Sequence, residues 1–129
     1  MKAYFSNIVE PKIPIVNATL CNPLLDKRVS IDFIIDTGFA GEIIIPLDIY
    51  MKLNLHLFEG VKKAGKFITG MTIKLRVSRA ILDLNGIRIP CNVYTYLGVF
   101  RSLLGRKLLE KMEMIYSPKQ NKIDLKVDL

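Results

Sequence analysis

The chain has 129 residues, half of them hydrophobic, with 19 Lys and Arg against 12 Asp and Glu for a net charge of +7 at pH 7. That length predicts one domain over 1–129, and the apolar content supplies one core and argues against disorder. No apolar run reaches the roughly 18 residues of a membrane span. The start, Met1-Lys2-Ala3-Tyr4-Phe5-Ser6-Asn7, has no signal-peptide core behind its charge, so a cytoplasmic protein without a membrane partner is expected.

The basic residues are scattered, in runs no longer than pairs such as Lys62-Lys63 and Arg106-Lys107. No basic stripe with interleaved aromatics is present, which argues against a nucleic-acid partner. Cys21 and Cys91 lie far apart without a C-x-x-C pattern, and His56 is the one histidine. Neither a zinc site nor a disulfide framework fits that inventory. Two free thiols, no metal and no cofactor are expected.

In chain order, Ile13 to Leu20 reads as a first strand with Pro14 marking an edge or irregular start. Asn22-Pro23 and Asp26-Lys27 form a turn. From Val29 to Asp36, the odd positions Val29, Ile31, Phe33 and Ile35 alternate with Ser30, Asp32, Ile34 and Asp36, the period of a strand. Thr37-Gly38-Phe39-Ala40-Gly41 is a tight turn, Glu42 to Ile45 a second strand, and Pro46 suits the start of a short helix over Leu47 to Asn54. Residues 59–81 read as a long hairpin, its tip between Gly60 and Gly70 with Gly65 near the middle. Asn85-Gly86 between alternating apolar residues predicts a tight hairpin, because both positions need positive φ. Val93 to Leu97 reads as a further strand. Leu104, Leu108 and Met112 are four apart, with Leu109 on the same stripe, predicting an amphipathic helix. Pro118 to Asn121 then turns the chain into a last strand, Lys122 to Val127.

One segment carries chemistry: Phe33-Ile34-Ile35-Asp36-Thr37-Gly38. It sets a carboxylate at the end of an apolar strand, and apolar flanks that exclude water raise the cost of charging it. Gly38 lets a backbone N–H approach that carboxylate. Thr37 offers a hydroxyl to tie the loop. The tripeptide alone is also ordinary turn chemistry and assigns nothing by itself.

Its context does more. Ile34-Ile35-Asp36-Thr37-Gly38-Phe39-Ala40-Gly41-Glu42-Ile43-Ile44-Ile45-Pro46, a glycine-bearing hairpin in Val61 to Gly70, and Leu103-Leu104-Gly105 ahead of Arg106-Lys107-Leu108-Leu109 follow one another in order. Together they resemble the retropepsin-like aspartic proteases, and in particular the small stand-alone prokaryotic branch, over residues 10–127. The resemblance implies a mostly β, closed-barrel acid-protease fold with one or two short helices. It implies Asp36 as the catalytic carboxylate, Thr37 bonding across a subunit boundary, and Gly38 holding the carboxylate through its backbone. Phe39, Ala40, Gly65, Phe67 and Ile68 would then face substrate, a peptide or unfolded protein. Leu103, Leu104 and Gly105 would pack under the loop. The chain departs from the pattern at Ala40, where relatives often carry Ser, Thr or Asp, and at Phe39, where a small residue is usual.

Peptide hydrolysis of this type uses two carboxylates, one taking a proton from water and one giving a proton to the carbonyl oxygen. The chain has one Asp-Thr-Gly and no Asp-Ser-Gly, and Asp26, Asp32, Asp48, Asp83, Asp124 and Asp128 have no matching turn. A second Asp36 from a second copy is therefore implied, through an isologous homodimer. Two other readings stand beside it. One is a catalytically inactive module of the same fold that binds extended peptides or dimerises. The other is phosphoryl transfer from Asp36, which lacks the second Asp usually found two residues on, where Gly38 stands.

Overall fold

The computed structural model describes residues 2–8, 11–60, 64–66 and 72–127. The chain order is β1 (Lys2–Ser6), β2 (Ile13–Cys21), β3 (Arg28–Asp36), β4 (Ile43–Ile44), α1 (Leu47–Lys52), β5 (Ala64–Lys66), β6 (Thr72–Lys74), β7 (Arg76–Leu84), β8 (Ile87–Thr95), β9 (Leu103–Gly105), α2 (Arg106–Leu109), β10 (Met112–Ser117) and β11 (Lys122–Val127).

Alternation builds the long strands. Val16, Ala18 and Leu20 of β2, Ile31, Phe33 and Ile35 of β3, Ala80, Leu82 and Leu84 of β7, and Ile89, Cys91 and Val93 of β8 all turn inward to one cluster. Burying an aliphatic or Phe side chain of this size contributes about 1.5–3 kcal/mol. The strands run β2-β3-β9-β4-β8-β7, and β7 pairs back onto β2. The result is a closed six-stranded barrel. One edge of β2 serves twice: Ile13 to Asn17 pair with β1, and Thr19 to Cys21 pair with β7. Closure removes the open edges that antiparallel sheets otherwise expose. Tyr50, Leu53 and Leu55, fully buried, plug the barrel from α1 and the turn after it. The β10–β11 hairpin packs on the outside, with Ile123 and Leu125 reaching the core.

The Asn85-Gly86 hairpin forms as expected, with φ of 54° and 85° at its two central residues. Other elements differ from the sequence reading. The expected helix through Leu104 and Met112 is a single turn, Arg106–Leu109, because Leu104 is drawn into a strand between Ile35 and Ile43, while Met112 opens β10. Leu104 and Leu108 are still both buried, so the apolar spacing reported burial and mistook the geometry. Val93 to Leu97 is not a strand of its own. It continues β8 as far as Thr95, and Pro90 sits inside that strand opposite Ile81, outside the stretch that pairs with β4. The helix after Pro46 ends at Lys52, two residues short of Asn54, whose φ of 58° breaks it. The hairpin over residues 59–81 exists, with Glu59 bridged to Ser78 at its neck. Its register pairs Gly65 with Ile73 and Lys66 with Thr72, so Gly65 lies in a strand arm rather than near the tip.

Candidate active site

Asp36 is the last residue of β3, paired in parallel with Gly105 at the end of β9. The neighbouring Ile34 N–H donates to the Ser102 carbonyl at 2.9 Å, which fixes β3 beside the approach to β9. Because Ile35 turns into the core, Asp36 is directed to the opposite side. It is half-buried, and Thr37 and Gly38 after it are exposed. The shielding from water expected of the apolar flanks is thus incomplete in one chain: Phe33 and Ile35 face the barrel interior, and the half-buried Ile34 alone shares the side of Asp36.

The turn is held from within. The Gly38 N–H donates to Asp36 Oδ1 at 2.9 Å, and the Phe39 N–H to the Asp36 carbonyl at 3.2 Å. A Cβ on Gly38 would stand 3.2 Å from Asp36 Oδ1, tight against the bonded oxygen. Among the described residues the Thr37 hydroxyl has no hydrogen-bond partner within its own chain. The return arm of the loop is stitched to the segment after β9. The Gly105 N–H donates to the Glu42 carbonyl (2.8 Å), the Arg106 N–H to the Phe39 carbonyl (2.7 Å) and the Lys107 N–H to the Gly41 carbonyl (3.3 Å). This close approach requires a bare Cα at Gly105, since any Cβ there would collide with the Gly41 carbonyl and the Phe39 ring. The Phe39 ring then meets Tyr94 edge to face, centroids 6.4 Å apart.

Asp36, Thr37, Gly38, Phe39, Ala40, Leu103, Leu104 and Gly105 are therefore brought together. Ala40 is exposed on the loop and presents only a methyl group. Gly65 lies in β5, and Phe67 and Ile68 fall outside the described residues. Glu42 turns its carboxylate to the Asn92 N–H and Lys111. Two hollows adjoin these strands, one of them touching the loop at Thr37. One, about 380 Å³, is lined by Pro14, Ile35, Thr37, Met114 and Tyr116. The other, about 160 Å³, lies under the loop between β8 and β9 and includes Ile44, Tyr96, Phe100 and Leu103. Sequence reasoning passed over this second loop. Its signal was the apolar pair Val99-Phe100 beside a glycine of positive φ, Gly98, just ahead of Leu103-Leu104-Gly105; Leu97 and Phe100 prove 87% and 79% exposed.

Among the described residues no three His, Cys, Asp or Glu side chains gather as metal ligands. Cys21 and Cys91 are free and buried. Burial, with the Glu42 carboxylate adding to it, pushes the Cys91 thiol up to about 12. No helix of the described residues is long and apolar enough to cross a membrane.

The solved structure of a retropepsin-like aspartic protease from Rickettsia conorii superposes with a TM-score of 0.64 over 98% of this chain and 87% of that one, at 18% identity. The fold is that of a retropepsin-like aspartic protease. Two further retropepsin-like structures agree. EIAV protease, in complex with the inhibitor HBY-793, matches with a TM-score of 0.56 at 18% identity, covering 81% of this chain and 90% of that one. The retroviral protease-like domain of Ddi1 from Leishmania major matches at 0.55 and 15% identity, covering 86% and 87%. No protein-family model matches the sequence. An uncharacterized protein of Archaeoglobus fulgidus is 30% identical over 108 residues, covering 79% of this chain and 84% of that protein. This retropepsin-like chain belongs to one family with it.

Proposed function

We propose that the protein is an aspartic endopeptidase that works as a homodimer, with one Asp36 from each subunit activating a water between them. The observation that carries this reading is the Asp36 carboxylate itself: fixed on one oxygen by the Gly38 N–H and half-buried at the barrel rim on a glycine-tight loop. Two such groups about 3 Å apart share one proton, so one serves as base and the other as acid. No metal is required, and the substrate is an extended peptide or unfolded protein. The free Thr37 hydroxyl and the hollow between Pro14, Met114 and Tyr116 lie on the face a second copy would cover. That face adjoins β10, whose pairing among the described residues is with β11 alone, and Tyr116 of β10, which lines the hollow, is 51% exposed. Phe100 and the hollow beside it would accept an apolar substrate side chain.

The test is cleavage of an unfolded protein across acid and neutral pH by wild type and Asp36→Asn. The reading expects an optimum below neutral and no turnover in the variant. Turnover by Asp36→Asn would refute the chemistry. Ala40, which offers the substrate backbone no polar side chain, favours the second reading, a peptide-binding or dimerising module. Binding of an extended peptide by wild type without cleavage would select it.

A further inference from the structure

Between Thr37 and Glu42 the loop after Asp36 contains two glycines, a phenylalanine and an alanine. Among the described residues, Glu42 is the one side chain of this loop that hydrogen-bonds to the rest of the fold. It is only 4% exposed. Oε1 accepts the Asn92 N–H of β8 at 3.2 Å, and Oε2 pairs with Lys111 Nζ, just past α2, at 3.3 Å. The Glu42 carbonyl accepts the Gly105 N–H at 2.8 Å, and Gly105 is the strand partner of Asp36. One residue thus ties the loop to β8, to β9 and to the segment after α2. A buried carboxylate tolerates little displacement, because moving it off its partners leaves a charge unsolvated.

We propose that Glu42 is a positioning residue for Asp36: its carboxylate, clamped between the Asn92 N–H and the Lys111 ammonium, sets where the loop holds the reacting carboxylate. This rests on the endopeptidase reading for its effect on turnover, though not for its effect on the loop. The Lys111 end is half-exposed and replaceable. Lys111→Met strands the Glu42 charge with one hydrogen bond and drives the arm to shift toward water. Lys111→Arg keeps the pair. Glu42→Gln combined with Lys111→Met removes both charges and retains an oxygen for Asn92.

The experiment measures turnover of an unfolded-protein substrate and amide hydrogen exchange at Gly38, Gly105 and Arg106. Both are read in wild type, Lys111→Met, Lys111→Arg and the double variant, with stability determined for each by urea unfolding. Lys111→Met is expected to lower kcat about 10- to 100-fold with KM nearly unchanged, as misplacement of a reacting group does. It should also speed exchange at those three amides beyond what its loss of stability explains. Lys111→Arg and the double variant should recover both. Exchange at the three amides that tracks only global stability, or a kcat unchanged in folded Lys111→Met, would overturn the proposal. If wild type does not cleave, the exchange arm still decides it, and the failure then belongs to the endopeptidase reading alone.

Discussion

Asp36 and Gly105 face one another across two parallel strands, and their tolerances differ for separate physical reasons. Asp36→Asn keeps the shape of the carboxylate and removes its proton chemistry. Under the proposed mechanism turnover is lost, while thermal stability stays close to wild type because, among the described residues, the side chain bonds to Gly38 alone. Gly105→Ala does the reverse: its methyl group meets the Gly41 carbonyl, so the whole loop must move. Overpacking of this kind costs about 1–3 kcal/mol, to be read as a lower midpoint in urea. Cys91 gives a pH signature. Its thiol is held up to about 12 in the folded chain against 9.0 when free. Above pH 9 the unfolded chain sheds that proton and the native chain keeps it, so stability falls as pH rises through that window. The slope attributable to this thiol approaches about 1.4 kcal/mol per pH unit. Cys91→Ala should flatten the decline, measured by urea unfolding at pH 8 to 10. The Asp-Thr-Gly turn was legible in sequence because it is contiguous. Phe100 was not, since an exposed phenylalanine acquires meaning only once β9 sets the segment ahead of it against β3, where Ser102 meets Ile34.

At the scale of elements, legibility followed how local the determinants are. Asn85-Gly86 sets its own turn through two positive φ values and the Asp83 carboxylate that accepts the Gly86 N–H at 2.8 Å. The one-turn α2 could not be read from spacing, since Leu104 and Leu108 are buried by different mechanisms, one as a strand residue and one as a helix residue. β1 was missed because its five residues form a strand only against Ile13 to Asn17. The neck of the 59–78 hairpin shows tertiary logic of the same kind. Arg76 grips Glu59 with two bonds, 2.8 and 3.0 Å, and the fully buried Tyr50 donates its hydroxyl to the same carboxylate at 2.7 Å. Burial first, and Glu59 second, raise the Tyr50 phenol above its usual range. Glu59→Gln should cost about 1–3 kcal/mol, the range for losing charge-assisted bonds at a buried site. It should also lower the Tyr50 titration midpoint, followed by the absorbance of the phenolate.

At the scale of the molecule, one barrel supplies one Asp36, and the proposed chemistry needs two. This makes activity a property of association, and mixing subunits tests it more sharply than size alone. When Asp36→Asn chains are mixed with an equal amount of wild type and allowed to exchange, about a quarter of the dimers are wild-type pairs. Half carry a single carboxylate and the rest none. If both carboxylates are required, activity should fall to about a quarter of that of the same total concentration of wild type. If each subunit worked alone, half would remain. The association itself should depend on the face beside Thr37. Tyr116→Glu, half-exposed at the hollow beside Thr37, puts a charge where the second copy would sit and gives up one edge contact with Phe5. It should lower the apparent mass in sedimentation and make activity rise steeply with concentration, with an unchanged circular dichroism spectrum. A fully active Tyr116→Glu monomer would place catalysis within one chain, where the described residues supply no second Asp-Thr-Gly carboxylate.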